Sequence, residues 1–326
     1  MPDFSHFIPQ FHQNVSPGFI ETLIQTQREE LFTGLMSLRH SSDEQLVFTF
    51  LEGTQQKLYR CSDTTIEMIP KQTWQDALNH QSTSVGFLRL PMEAMRFVRI
   101  MYEAPIHQME VATFSREELT SGVGKWAVDQ NPAIVHVHGG NVNAYYLFAG
   151  HSIPVVEELS FITGKAPFSI DDISFPQSLP KDDYQTTRYI STSEHDVWRE
   201  HELRLAFNPF LRMLLNRFNE LAGRVLTERL CEHLSAWVNE GGWDITVTSN
   251  GAVNRHYFDS LESAISFYFD LLYHFHSEAS PAIGSRMADG LSREILVKLD
   301  PYRRELLTKH IYNQYGMGNV TGVGWR

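Results

Sequence analysis

Cysteine is nearly absent: Cys61 and Cys231 are the only 2 thiols in 326 residues, far apart and outside any Cys-x-x-Cys spacing. That excludes a disulfide framework and a cysteine zinc site, and it fits a reducing cytosol. Basic charge is scarce too. With 27 Lys and Arg against 39 Asp and Glu, the net charge is −12, whereas a duplex-binding protein needs a basic face to displace counterions from phosphate. The expected partners therefore include no nucleic acid. No stretch approaches the ~18–20 apolar residues of a membrane span, and the start at Met1 lacks the basic and apolar regions of a signal peptide. The expectation is a cytoplasmic chain with no transmembrane segment.

Catalytic motifs are missing as well. There is no Gly-x-Ser-x-Gly nucleophile elbow, so His138-Gly139-Gly140, which resembles the start of an esterase oxyanion loop, reads as a turn. There is no Gly-x4-Gly-Lys-Ser/Thr phosphate loop, and Gly122-Val123-Gly124-Lys125 has too short a spacing and no strand before it. No cofactor is expected. Low-complexity runs and solenoid repeats are also lacking.

What is present is a core. Hydrophobic residues at 42%, with 21 Phe, 12 Tyr and 6 Trp, supply enough apolar surface to offset the ordering entropy of a folded chain. The length exceeds one typical domain. Residues 1–200 carry 14 basic and 25 acidic side chains, and 201–326 carry 13 and 14, which suggests two units of different character.

The pattern along the chain reads as α+β. Ser16-Pro17 opens a helix ending near Glu30, with Phe19, Leu23 and Ile24 at helical spacing. Residues 31–38 and 45–51 alternate around the turn chemistry of Ser41-Ser42-Asp43, giving a β-hairpin, and 57–61 and 66–69 extend the antiparallel sheet. Helices are expected over 71–80 and 92–102. Residues 105–165 follow a similar plan: a helix at 116–129, a strand at 133–138, a Gly139-Gly140-Asn141 turn and a strand at 142–148. Gly150 breaks this second hairpin as Gly53 breaks the first, which suggests two related halves within an acidic α+β region, 1–165. Residues 166–204, with Pro167, Pro176, Pro180 and the acidic pairs Asp171-Asp172 and Asp182-Asp183, read as a connecting segment. A mainly helical domain follows over 205–326. Its first helix spans 209–240 on a stripe of Leu211, Leu214, Phe218, Leu221, Val225, Cys231, Leu234 and Val238, with Leu221 and Val225 on the inner face. A strand at 243–248, an Asn250-Gly251 turn, helices at 261–276, 283–299 and 301–315, and a Gly-rich tail complete it.

Two histidine pairs are candidate sites. His136 and His138 sit on alternate strand positions, where two imidazoles share a face and could hold a metal, with a third ligand drawn from His107, His151, Glu157 or Glu158. The spacing selects none of these, and exposed strand histidines are the plainer reading, so no metal site is assigned. His195 and His201, in the charged run 194–202, have i, i+6 spacing that separates them on a helix, which leaves a solvated helix. Tyr268, Tyr273, His274, Phe275 and His276 form an aromatic and imidazole patch read as core packing with a polar rim, the alternative being a docking surface.

A helix running into Leu31-Phe32-Thr33-Gly34-Leu35, then the strand Leu46-Val47-Phe48-Thr49-Phe50 ending in Leu51-Glu52-Gly53, resembles the N-terminal domain of PatA-type cyanobacterial signalling proteins. The resemblance covers residues 16–104 and departs from the family pattern after Gly53, at Gln55-Gln56 and Cys61. It implies an interaction or signalling module and brings no catalytic residues with it.

These readings converge on a non-enzymatic cytosolic regulatory or scaffold protein that acts through a protein partner or self-association, because long amphipathic helices suit protein contacts. The alternatives are a metal-dependent hydrolase using His136 and His138, and a small-molecule sensor with its pocket in the C-terminal helices.

Overall fold

The computed structural model describes residues 11–39, 44–62, 65–74, 83–127, 131–139, 142–150, 156–160, 168–170 and 183–313. Two compact units divide the chain, Met1–His195 and Asp196–Arg326. The turns at 41–43 and 140–141, most of the helix expected over 71–80, and the Gly-rich tail lie outside the described residues.

The first unit opens with β1 (Phe11–Val15) and α1 (Pro17–Glu29), which starts at Ser16-Pro17 as expected. The strands β2 (Gly34–Arg39), β3 (Glu44–Leu51), β4 (Thr54–Ser62), β5 (Ile66–Ile69) and β6 (Thr83–Arg89) follow, and all pair antiparallel in the order β1-β6-β2-β3-β4-β5. Strand alternation sends Met36, Leu38, Leu46, Phe48, Phe50, Leu58 and Val85 to one face, where Ile20 of α1 closes a dry core with them. Next comes α2 (Met92–Glu103), buried on nearly its whole circumference through Ala94, Met95, Phe97, Val98, Arg99, Ile100, Met101 and Tyr102.

The same plan then repeats. β7 (Ile106–Phe114), α3 (Arg116–Ala127), β8 (Ala133–Gly139), β9 (Val142–Phe148), β10 (Val156–Ser160), β11 (Phe168–Ile170) and β12 (Tyr184–Ser191) build a second antiparallel sheet in the order β7-β12-β8-β9-β10-β11. Element for element, this is the order of the first. The register repeats too: Leu38 lies opposite Leu46 and Val85, and Val137 lies opposite Ala144 and Thr186. Leu119 and Trp126 of α3 cover that face as α1 covers its own. The two related halves are thus two copies of one βαβββββ plan, and the second runs to Ser191, past the expected end at 165. Residues 166–204 do not simply connect domains: β12 sits between β7 and β8 with Tyr184, Thr186, Arg188, Tyr189 and Ile190 buried. Its polar sequence disguises a central strand.

The second unit contains α4 (Asp196–Ala222), α5 (Arg224–Glu240), the hairpin β13 (Ile245–Thr248) and β14 (Gly251–Asn254), α6 (Leu261–Ile283), α7 (Ser285–Lys298), α8 (Pro301–Leu307) and a π-helical turn, Thr308–Tyr312. Its core gathers Leu211, Leu214, Phe218, Leu234, Phe267 and Phe275. The single helix expected over 209–240 is two. Gly223 adopts φ 84, a left-handed conformation that interrupts the helix, and Pro209 lies inside α4 rather than at its start. Because the stripe changes phase at this break, Leu221 and Val225 face solvent, at 40% and 62% exposure, and not the core. Among the described residues no helix is long and apolar enough to cross a membrane.

Candidate functional site

On β8, His136 and His138 do share a face, with ring centroids 6.0 Å apart. His136 is buried, correcting its reading as an exposed strand residue, and its ring stacks on Tyr145 of β9 at 4.1 Å and 4° between planes. His138 is exposed. His107 lies on β7, two strands along the sheet, and His151 falls outside the described residues. Among the described residues no group of three or more His, Cys, Asp or Glu is placed to hold a metal.

A charged knot ties β4 to α2. The Glu103 carboxylate accepts from Lys57 Nζ, from the Tyr59 hydroxyl at 2.7 Å and from Arg99 Nε at 3.2 Å, while the Tyr59 and Tyr102 rings lie 4.9 Å apart. Burial pushes the Glu103 carboxyl up, but Arg99, Lys57 and the two hydrogen bonds outweigh it and hold its pKa below the usual value. Every charge in the knot is answered, so it reads as a staple of the fold.

The head of α4 differs from its expectation most. The end of the charged run read as a solvated helix is buried: Glu200, His201 and Glu202 are 6%, 3% and 1% exposed, as is Arg204 just beyond it at 5%, while Glu194 and Asp196 stay exposed. His201 Nδ1 lies 3.3 Å from Arg204, and His195 precedes the helix, so the two histidines do not form a pair on it. The Tyr302 hydroxyl of α8 donates to Glu202 Oε2 at 2.7 Å. Glu202 Oε1, Trp198 Nε1 and His310 Nε2, all buried, have no hydrogen-bond partner among the described residues. Burial pushes the Glu202 pKa up to about 7, against the opposing pull of the Tyr302 hydrogen bond and the Arg199 charge. Burial also raises the Tyr302 phenol and, with Lys309 and Arg199, lowers His310, while Asp196 acts the other way. Arg199 thus acts on both a buried carboxyl whose pKa is pushed up to about 7 and a histidine whose pKa burial lowers. A run of alternating charge gave no sequence signal for this, since the burial that creates the site is tertiary.

At the corner between α4 and α5, three apolar side chains face solvent within six positions: Leu221, Val225 and Leu226, at 40%, 62% and 39% exposure. They flank Gly223, where an added Cβ would meet nothing within 4 Å. Ion pairs from Arg217 to Glu220 at 2.6 Å and from Arg224 to Glu228 at 3.3 Å border the patch. On α6 the aromatic patch is chiefly core packing. Tyr268 and Phe275 are buried, the His274 ring lies tilted against Trp237 with centroids 4.2 Å apart, and His276 bonds Ser292 at 2.8 Å. Tyr273 alone of this set is strongly exposed, at 58%. No protein-family model, no curated protein and no solved structure matches this chain.

Proposed function

We propose that this chain is a regulatory or scaffold protein of the cytoplasm that works through protein contacts rather than by catalysis, with the α4–α5 corner as a docking surface. The observation that carries the reading is the exposure of Leu221, Val225 and Leu226 together at the adjoining ends of α4 and α5. Scattered apolar residues on a surface need no explanation, but a cluster rimmed by charges is the usual anatomy of a contact site. The PatA-type resemblance of residues 16–104 points to the same class of function. The cytoplasmic location rests on the two cysteines, neither in a disulfide, with burial pushing the Cys61 thiol up to about 12.

The test is Val225→Glu combined with Leu226→Glu, followed by sedimentation velocity over a range of concentrations and by chemical denaturation. Both residues are on the surface, so the unfolding midpoint should hold, while any self-association of the wild type should weaken. A wild type that stays monomeric and binds the same partners as the variant would remove the corner from the reading.

A further inference from the structure

We propose that the joint between the head of α4 and the α8 segment is a proton-controlled latch: Glu202 in its neutral form holds α8 and the π-helical turn against α4, and loss of its proton loosens them.

The geometry supplies the parts. Glu202 is 1% exposed, and its one hydrogen bond among the described residues comes from Tyr302 on α8, at Oε2. Its other oxygen, Oε1, is buried and has no partner there. Among the described residues no cation is hydrogen-bonded to the carboxylate. Arg199, one turn earlier on α4, acts on it only through space. Other charged or titratable groups about the joint include Glu200, His201 and Arg204, buried on the head of α4, Glu305, which acts on the Tyr302 phenol, and His310, on which Lys309, Arg199 and Asp196 act. A buried carboxylate so weakly compensated favours its neutral form, because desolvation penalises the charge more than one phenol and a guanidinium not bonded to it repay.

The sign follows from linkage. In the docked joint the Glu202 pKa stands at about 7, above its ordinary 4.5, so docking is favoured while the proton is bound. That advantage fades as pH rises from 4.5 through 7 and is gone above it. A shift of this size makes the docked joint about tenfold more favoured at pH 6 than at pH 8. His310, whose pKa burial lowers, pulls the other way, opposing docking as pH falls through its lowered pKa. The latch gives a regulatory protein an input separate from its docking corner.

The experiment is hydrogen–deuterium exchange of the full chain, following amides 303–312 from pH 6 to pH 8 after correction for intrinsic exchange. The wild type should lose about tenfold in protection across the range, and Glu202→Gln, neutral at every pH, should show a flat profile. A flat wild-type profile, or the same slope in Glu202→Gln, overturns the latch. Should Glu202→Gln fail to fold, Tyr302→Phe decides: it removes a bond that pulls the carboxyl pKa down, so the midpoint must move to higher pH. An unmoved midpoint refutes the latch.

Discussion

Thr186→Val should stabilise the protein, although it deletes a polar group from the middle of a sheet. Thr186 lies on β12 between Ala112 of β7 and Val137 of β8, with 0% exposure, and its hydroxyl has no hydrogen-bond partner among the described residues. An unsatisfied buried hydroxyl costs about 1–3 kcal/mol. Valine keeps the β-branched shape and strand preference and replaces the hydroxyl by a methyl. The first half of the same unit already contains this solution, for Val85 is the residue opposite Leu38 where Thr186 is opposite Val137. A gain of about 1–2 kcal/mol is expected, or roughly 2–6 °C in melting temperature for a unit of this size. Denaturant titration and calorimetry of wild type and variant measure it. A loss of 1 kcal/mol or more would mean the hydroxyl is satisfied, and would refute the register that pairs the two halves.

Three further outcomes follow from the same packing. His136→Ala removes a buried ring stacked on Tyr145 and should cost about 1–3 kcal/mol in denaturant titrations, while His138→Ala, on the surface, should stay within about 0.5 kcal/mol. Phe218→Ala should cost about 3–5 kcal/mol against less than about 1 for Leu221→Ala, since the first is 1% and the second 40% exposed; equal values would return Leu221 to the core. Glu103, whose pKa is lowered in the fold, contributes stability that is present above its ordinary pKa and lost as pH falls through the lowered one. Glu103→Gln should therefore cost about 1–3 kcal/mol at neutral pH and flatten the acid limb of stability, because it removes the carboxylate that pairs with both Lys57 and Arg99.

Legibility in the sequence tracked how cleanly each segment's environment shows in its residues. The β2–β3 and β8–β9 hairpins were readable because their strands, buried on both faces, are short apolar runs bounded by turn residues. The edge strand β7 was not, since it is wet along most of its length, with Met109 and Val111 at 56% and 55% exposure, and so lacks a dry face to mark. β12 failed for the opposite reason: it is central, yet Thr186 and Arg188 are buried polar residues, Arg188 through its bond to Glu110 at 3.2 Å and its place over the Trp126 ring. With β7 and β12 unread, the repeat could be suspected but not closed. In the second unit the apolar stripe was correctly seen, but treating Gly223 as one more helical residue carried its phase across a break. The α4 head was invisible because nothing in a charged run says that other elements will bury it.

A contact function requires that the α4–α5 corner meet another protein. A photo-crosslinking amino acid placed at position 225 of the full chain, with a second chain carrying it at exposed position 253 as control, reads this in the cell. Crosslinking from 225 should give a discrete adduct of defined mass, abolished by Leu226→Glu, with little from 253. No adduct from 225, or equal diffuse labelling from both positions, would contradict a contact function at this surface.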